Sequence, residues 1–340
     1  CFYGIMKLYT EGDPSVRPAA TREIPFSKPF RASRTHFSVV KRGFSMSCVL
    51  SVDIGGSKLA AGIVGANGAV LSRTVRPLPA EIDTARLSKI IAGAIQEVSA
   101  GLLPSAVGVT VPGLCDAETR VWRYAPFSGI SDFAVGELLH GLTGLPVFAE
   151  NDVNACALAE RRFGACRDVS DYLWVTVSNG IGGSLFLNGR LYTGSSGNAG
   201  EIGHIRVAEN GRLCGCGRRG CLEAEASGRA IAAKYQERTG AACSAKEIAA
   251  AAKAGDHEAR AVYDEAGFLI GKAVSAAVNL LNPAAVVFGG GVSMDFSLLE
   301  TGLRRAAAEL IFSAANEGVR FVQTALGYDA ALLGGAALAL

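Results

Sequence analysis

The sequence predicts an α/β protein of two similar lobes with a cleft between them, and three observations carry that expectation. A strand, a glycine turn and a β-hairpin occur in that order twice, near 49–71 and again near 172–192. Each copy carries an Asn-Gly pair, Asn67-Gly68 and Asn188-Gly189, turn chemistry that marks a hairpin. At 340 residues, 49% hydrophobic and with 42 Gly, the chain is long enough for two domains of ordinary size.

The elements follow in order. Residues 1–47 read as a disordered or non-native leader. The first 45 carry eight Lys/Arg against three Asp/Glu, so 8 − 3 = +5, and prolines at 14, 18, 25 and 29 break any helix. A targeting peptide is the alternative. "CVLSVDIGG" is a strand entering a tight turn, and the following stretch to Pro77 is a hairpin. Residues 84–100 have helical spacing, with Leu87, Ile90, Ile91, Ile95 and Val98 on one face, and Gly101 stops them. "AVGVTVPG" and "LPVFAEND" are strands, and "VNACALAERRFG" is a helix closed by Gly164. After the second strand–turn–hairpin unit, an Ala-rich helical tract runs from 228 to about 282. "AAVVFGGGVS" is a strand into a glycine turn, and "DAALLGGAALAL" is a terminal helix. The expected lobes are 48–155, completed by the terminal helix 328–340, and a larger lobe 156–327.

Net charge of +2 argues against nucleic acid or a membrane surface as the main partner. Nine cysteines, an odd number and scattered outside one cluster, fit a reducing cytoplasm. No run approaches the roughly 18 apolar residues of a membrane span.

The cluster is "GNAGEIGHIRVAENGRLCGCGRRGCLEAEASGR", residues 197–229. His204, Cys214, Cys216 and Cys221 give the spacing H-x9-C-x-C-x4-C, a Cys3His set that Zn2+ fills with no open position, so the ion is expected to be structural. A disulfide pair is the competing reading, and it needs an oxidising compartment. Zinc on one ring nitrogen of His204 leaves the other for a hydrogen bond. That makes His204, Glu201 and Glu223 candidates for gripping something polar, against the reading that both Glu are solvated loop charges.

Three glycine turns at strand ends expose backbone N–H groups suited to an anion. They are "DIGGSK" (Asp53, Gly55, Gly56, Ser57 and Lys58), "SNGIGG" (Ser178, Asn179 and Gly180) and "GGG" (Gly289, Gly290 and Gly291). Together they point to a polyphosphate held between lobes. Asp53 is placed to hold Mg2+ through water, or else forms the turn. Lys58 is a phosphate clamp or a solvated lysine. In "ENDVNA", Asp152 is either the N-cap of the next helix or a general base at a strand end.

In family order, "DIGGSK", "VPGLCD", "ENDVNACALAE", "NGIGGSLFLNG", "AGEIGH", "CGCGRRGCLEA" and "VVFGGG" resemble the ROK family of sugar kinases and sugar-responsive repressors, from about 49 to 340. The resemblance implies an actin-like, RNase H-related fold whose lobes close on ATP and a hexose or N-acetylhexosamine. It implies Asp152 as catalytic base and Gly113, Asn151, Glu201, His204 and Glu223 at the sugar, with zinc holding that wall. It also implies a homo-oligomer, a dimer or tetramer. Three departures stand out. Ser57 replaces a common Thr. Ser178-Asn179-Gly180 stands where Gly-Thr-Gly is usual, so Asn179 keeps a donor and loses a hydroxyl. The loop "WRYAPFSGISDF" lacks a Trp often found after its Gly. The family's repressors carry a DNA-binding winged helix before the body, and the Pro-interrupted leader shows no such helical periods.

Overall fold

A computed structural model describes residues 47–79, 81–125, 129–312, 316 and 318–340. The described residues belong to one compact unit, Met46–Leu340. Apart from Ser47, the expected leader lies outside them, as does part of the 122–133 loop.

The two hairpin units found in the sequence build two sheets of identical strand order. The first holds β1 (Cys48–Ile54), β2 (Lys58–Gly65), β3 (Val70–Pro77), β4 (Val107–Val111) and β8 (Val147–Asn151), ordered β3-β2-β1-β4-β8. The second holds β9 (Tyr172–Val177), β10 (Ile181–Leu187), β11 (Arg190–Tyr192), β12 (Ala285–Gly289) and β13 (Arg320–Gln323), ordered β11-β10-β9-β12-β13. In each, the first strand pairs antiparallel with its hairpin partner and parallel with the strand beyond. Both lead strands are buried along most of their length, as the unbroken apolar runs require.

Helices cover the sheets. Helix α1 (Thr84–Val98) is capped by Asp83, whose side chain accepts the Arg86 N–H at 2.7 Å, and buries Leu87, Ile91, Ile95 and Val98 on the first sheet. The sequence expectation missed α2 (Val135–Thr143) and a small sheet of β5 (Leu114–Asp116), β6 (Val121–Tyr124) and β7 (Ser131–Phe133). Arg123 crosses that sheet, 2.7 Å from Asp116 and 3.1 Å from Asp132.

Two helical boundaries differ from expectation. Helix α3 (Asp152–Arg162) ends two residues before Gly164, which does not have positive φ. Gly164 is glycine for another reason: a side chain there would overlap the Glu160 carboxylate. The tract 228–282 is three helices, α5 (Gly228–Thr239), α6 (Ala245–Lys253) and α7 (His257–Leu281), preceded by a single turn, α4 (Leu222–Ala226). Left-handed Gly240 (φ 77°) stops α5, and Ser244 with Glu247 forms a capping box that starts α6. Asp256 caps α7 by accepting the Ala259 N–H at 2.9 Å.

Helix α8 (Phe296–Leu310) packs on α7 at close range, because Gly267, Gly271 and Gly302 lack the Cβ atoms that would meet the facing backbone. The terminal helix α9 (Ala330–Ala339) returns to the first sheet and to α3. Gly108 and Gly335 allow backbone contact there, and Ser51 Oγ donates to the Leu332 carbonyl at 2.5 Å.

Candidate active site

Three parallel strands bring polar side chains level at their carboxyl ends. In register, Asp53 of β1 faces Thr110 of β4, and Thr110 faces Glu150 of β8. Thr110 Oγ1 donates to Asp53 Oδ1 at 2.8 Å. Burial pushes the Asp53 carboxyl up from its ordinary range, and Thr110, Lys58 and Arg73 pull it back in part. Asp152 follows directly as the first residue of α3. Its carboxyl is pushed up to about 7, first by burial and second by the nearby charge of Asp53.

Asp152 is not the cap of α3. Asn151 is: its Oδ1 accepts the N–H groups of Val153 at 2.9 Å and Asn154 at 3.2 Å. The Asn151 Nδ2 donates to the Gly113 carbonyl at 2.7 Å, tying the "VPG" turn to the head of the helix. Gly113 (φ 76°) lies against the Tyr124 carbonyl, with no room for a Cβ. Sequence reasoning missed Glu150, whose buried carboxylate accepts from Asn151 N–H at 2.8 Å and Asn154 Nδ2 at 3.2 Å. A carboxylate placed within two residues of Asp152 was the available signal.

The glycine turns converge from both sheets. In the first, Gly55 N–H donates to the Lys58 carbonyl at 2.9 Å. In the second, Ser178 N–H bonds the Gly180 carbonyl at 2.8 Å, and the Ser178 carbonyl accepts Gly228 N–H at 2.7 Å. Arg229, also unanticipated, donates from Nε to the Asn179 carbonyl at 2.9 Å. In the third, Gly290 (φ 88°) approaches the Val177 carbonyl so closely that a Cβ would lie 2.5 Å from it. A Cβ on Gly291 would stand 3.9 Å from Ser178 Oγ and 4.0 Å from Tyr328, joining turns two and three. Lys58 Nζ lies 6.0 Å from the Tyr328 ring, so this exposed tyrosine stands between the first and third turns. Nothing in the local sequence marked Tyr328.

The cysteine loop forms the remaining wall. The ligand atoms of His204, Cys214, Cys216 and Cys221 all lie within 4.8 Å of one another. His204 Nδ1 is 3.7 Å from Cys214 Sγ, and Cys216 Sγ is 3.6 Å from Cys221 Sγ. That sulfur pair is far beyond the roughly 2.05 Å of a disulfide. Both separations match the edge, about 3.5–3.8 Å, of a tetrahedron with metal bonds of about 2.0–2.3 Å. The other ring nitrogen of His204, Nε2, lies 3.8 Å from Glu201 Oε2. Glu223, in the first turn of α4, accepts the Ile181 N–H on Oε2 at 3.2 Å and fills the space a side chain on Gly180 would take. Gly203 packs on the Ile181 carbonyl, and Gly182 receives Val153 of α3, where a Cβ would lie 2.9 Å from Val153 Cγ2. Strand β10 therefore gathers Glu201, His204, Glu223 and the head of the Asp152 helix around one place.

Two hairpin-bearing sheets with a carboxylate and three glycine turns between them define a two-lobed actin-like phosphotransferase. The ROK family pattern matches residues 49–340, and the chain belongs to the ROK family. It is 33% identical over 305 residues to a glucokinase of Thermotoga maritima, covering 85% of this chain and 96% of that protein. It is 34% identical over 294 residues to an N-acetylmannosamine kinase of Escherichia fergusonii, covering 85% and 97%. A crystal structure of a ROK family glucokinase from Streptomyces griseus with glucose and AMPPNP has a TM-score of 0.79 and 32% identity, covering 86% of this chain and 99% of that one.

Proposed function

We propose that the protein is an ATP-dependent hexose kinase that transfers the γ-phosphoryl group to a sugar hydroxyl, at C6 of glucose or of an N-acetylhexosamine such as N-acetylmannosamine. The observation that carries the reading is Asp152, its pKa raised to about 7, at the head of α3 and beside β10. Ionised Asp152 accepts the hydroxyl proton as that oxygen attacks the γ-phosphorus; the bond to the bridging oxygen breaks and ADP leaves. Backbone N–H groups of the glycine turns, with Ser57, Lys58, Ser178 and Asn179, receive the phosphate charge. Asp53 is the residue that would hold Mg2+, which neutralises phosphoryl charge when bound. Glu201, His204 and Glu223 orient the sugar, with Asn151 fixing the Gly113 turn beside it.

His204, Cys214, Cys216 and Cys221 fit Zn2+ by donor type and spacing, and four protein ligands leave no position for chemistry. The metal is thus structural. The lobe division 48–155 with 328–340, and 156–327, rests on the duplicated sheet order. A homo-oligomer is proposed on the family resemblance. The eight described cysteines are unbridged, which supports a reducing, cytoplasmic setting. No helix among the described residues is long and apolar enough to cross a membrane.

The rival reading is a sugar-responsive regulator of the same family without kinase activity. The loss of the second-turn hydroxyl at Asn179 favours it. ADP release from MgATP by protein starting at Met46, across glucose, mannose, fructose, allose, N-acetylglucosamine and N-acetylmannosamine, decides between them. Turnover with one sugar, lost in Asp152→Asn, supports the kinase; sugar binding with no turnover supports the regulator.

A further inference from the structure

We propose that Glu225 is a positioning residue for the sugar wall, an inference that rests on Glu223 and His204 binding the sugar. Helix α4 is a single turn, too short to hold its own geometry. It starts immediately after Cys221, a member of the Cys3His set, and carries Glu223 before Glu225. Chelation fixes four ligands relative to one another. It does not fix the loop relative to the β10 turn where Glu223 must stand.

Glu225 ties that loop to α5, whose first residue, Gly228, donates to the Ser178 carbonyl at the β10 turn. Glu225 is 6% exposed. Its Oε1 accepts the Arg212 N–H at 2.5 Å, two residues before Cys214. The same oxygen occupies the space a side chain on Gly211 would need. Its Oε2 lies 3.6 Å from Lys234 Nζ on α5, and Lys234 in turn lies 2.7 Å from Glu265 on α7. One buried carboxylate therefore ties the entry of the cysteine loop to two long helices, while Lys272 of α7 donates to the Val207 carbonyl at 2.7 Å and holds the stretch after His204. Glu223 sits between two fixed ends, Cys221 on one side and Glu225 on the other. Without the second, the turn keeps its buried Leu222 and Ala226 and the Gly228 bond to Ser178 but loses its tie to the loop entry, and Glu223 shifts against Gly180 and Ile181.

The test uses the zinc-loaded chain with Glu225→Leu, Glu225→Gln, Lys234→Met and, as reference, Glu223→Gln. Glucose and N-acetylmannosamine are titrated calorimetrically, KM and kcat are measured for sugar and ATP, and zinc per chain is counted by chromophoric release. Glu225→Leu is expected to raise sugar KM and Kd about 10- to 100-fold, the range seen when a residue supporting a ligand is removed. Zinc content should stay at one per chain and KM for ATP should stay within about twofold, a pattern set by positioning alone. Glu225→Gln keeps the acceptor for Arg212 and should fall between, close to Lys234→Met. If Glu225→Leu fails to fold, these two milder variants decide. Unchanged sugar affinity in the folded variants, or sugar and ATP affinity falling together, overturns the inference. Unchanged sugar affinity in Glu223→Gln instead overturns the sugar wall itself.

Discussion

Asp152 and Asp53 stand close enough at the head of the first sheet that the charge of Asp53 is, after burial, the main cause holding Asp152 near pKa 7. Two carboxylates share one small region, and the one on the helix is left partly protonated at neutral pH. A base must be ionised to work, so kcat/KM for the sugar should rise with pH and level off above an apparent pKa near 7. Asp152→Asn should lower kcat by about 10²- to 10⁴-fold.

The same shift has a stability sign. A carboxyl whose folded pKa lies above its unfolded value of 3.8 binds more protons folded than unfolded between the two values. Its contribution favours the fold below 3.8 and is lost as pH rises toward about 7. Asp152→Asn removes the buried charge, so its thermal midpoint at pH 8 should exceed that of the parent protein. A variant both inactive and less stable at pH 8 would sink the account of the pair.

Thr110 is the support for Asp53. Its hydroxyl donates at 2.8 Å and helps keep that carboxyl ionised against burial. Thr110→Val keeps the shape and removes the donor, leaving Asp53 more readily protonated. A hydrogen bond to a charged group is worth about 1.5–3 kcal/mol, so KM for MgATP should rise at least about tenfold. The sugar KM, measured at saturating MgATP, should move much less.

Cys216 is the exposed cysteine of the Cys3His set, so replacing it disturbs packing least among the three thiols. Cys216→Ser should lower zinc content and the thermal midpoint together, because metal binding and folding are linked. Sugar KM should climb as the wall holding His204 and Glu223 loosens. Full zinc content with unaltered sugar affinity would contradict a metal held by these four residues.

The repeated hairpin units were legible because Asn-Gly turns and unbroken apolar strands are local signals, whereas β13, a short half-exposed strand with no turn signal beside it, was not among the expected strands. The Cys3His spacing was legible as a local signal too. Helices α5, α6 and α7 merged into one because alanine periodicity runs through their breaks; Gly240 and the Ser244 cap separate the first two, and left-handed Gly255 with the Asp256 cap separates the last two. Tyr328, Arg229 and Thr110 were not legible, since each acquires its role from a partner far away in sequence: Lys58, Asn179 and Asp53. Gly164 does follow the end of α3, but the reason it is glycine was not legible, because that reason is the Glu160 side chain rather than its own φ.

That glycine leads to the last prediction. Glu160, fully buried near the end of α3, accepts from Thr324 Oγ1 and from Ala165 N–H at 2.7 Å. Thr324 follows β13, and its N–H bonds the Phe288 carbonyl of β12. The helix that begins with Asp152 is thus pinned at its far end to the second sheet through one carboxylate. Thr324→Val leaves that carboxylate short of a donor and should cost about 1–3 kcal/mol by denaturant unfolding. Gly164→Ala forces a methyl group onto the carboxylate and should cost about 1–3 kcal/mol, as overpacking does. Both act on the same group, so the double variant should cost less than the sum of the two, because the carboxylate can be displaced only once. Strict additivity would mean that Glu160 does not join them.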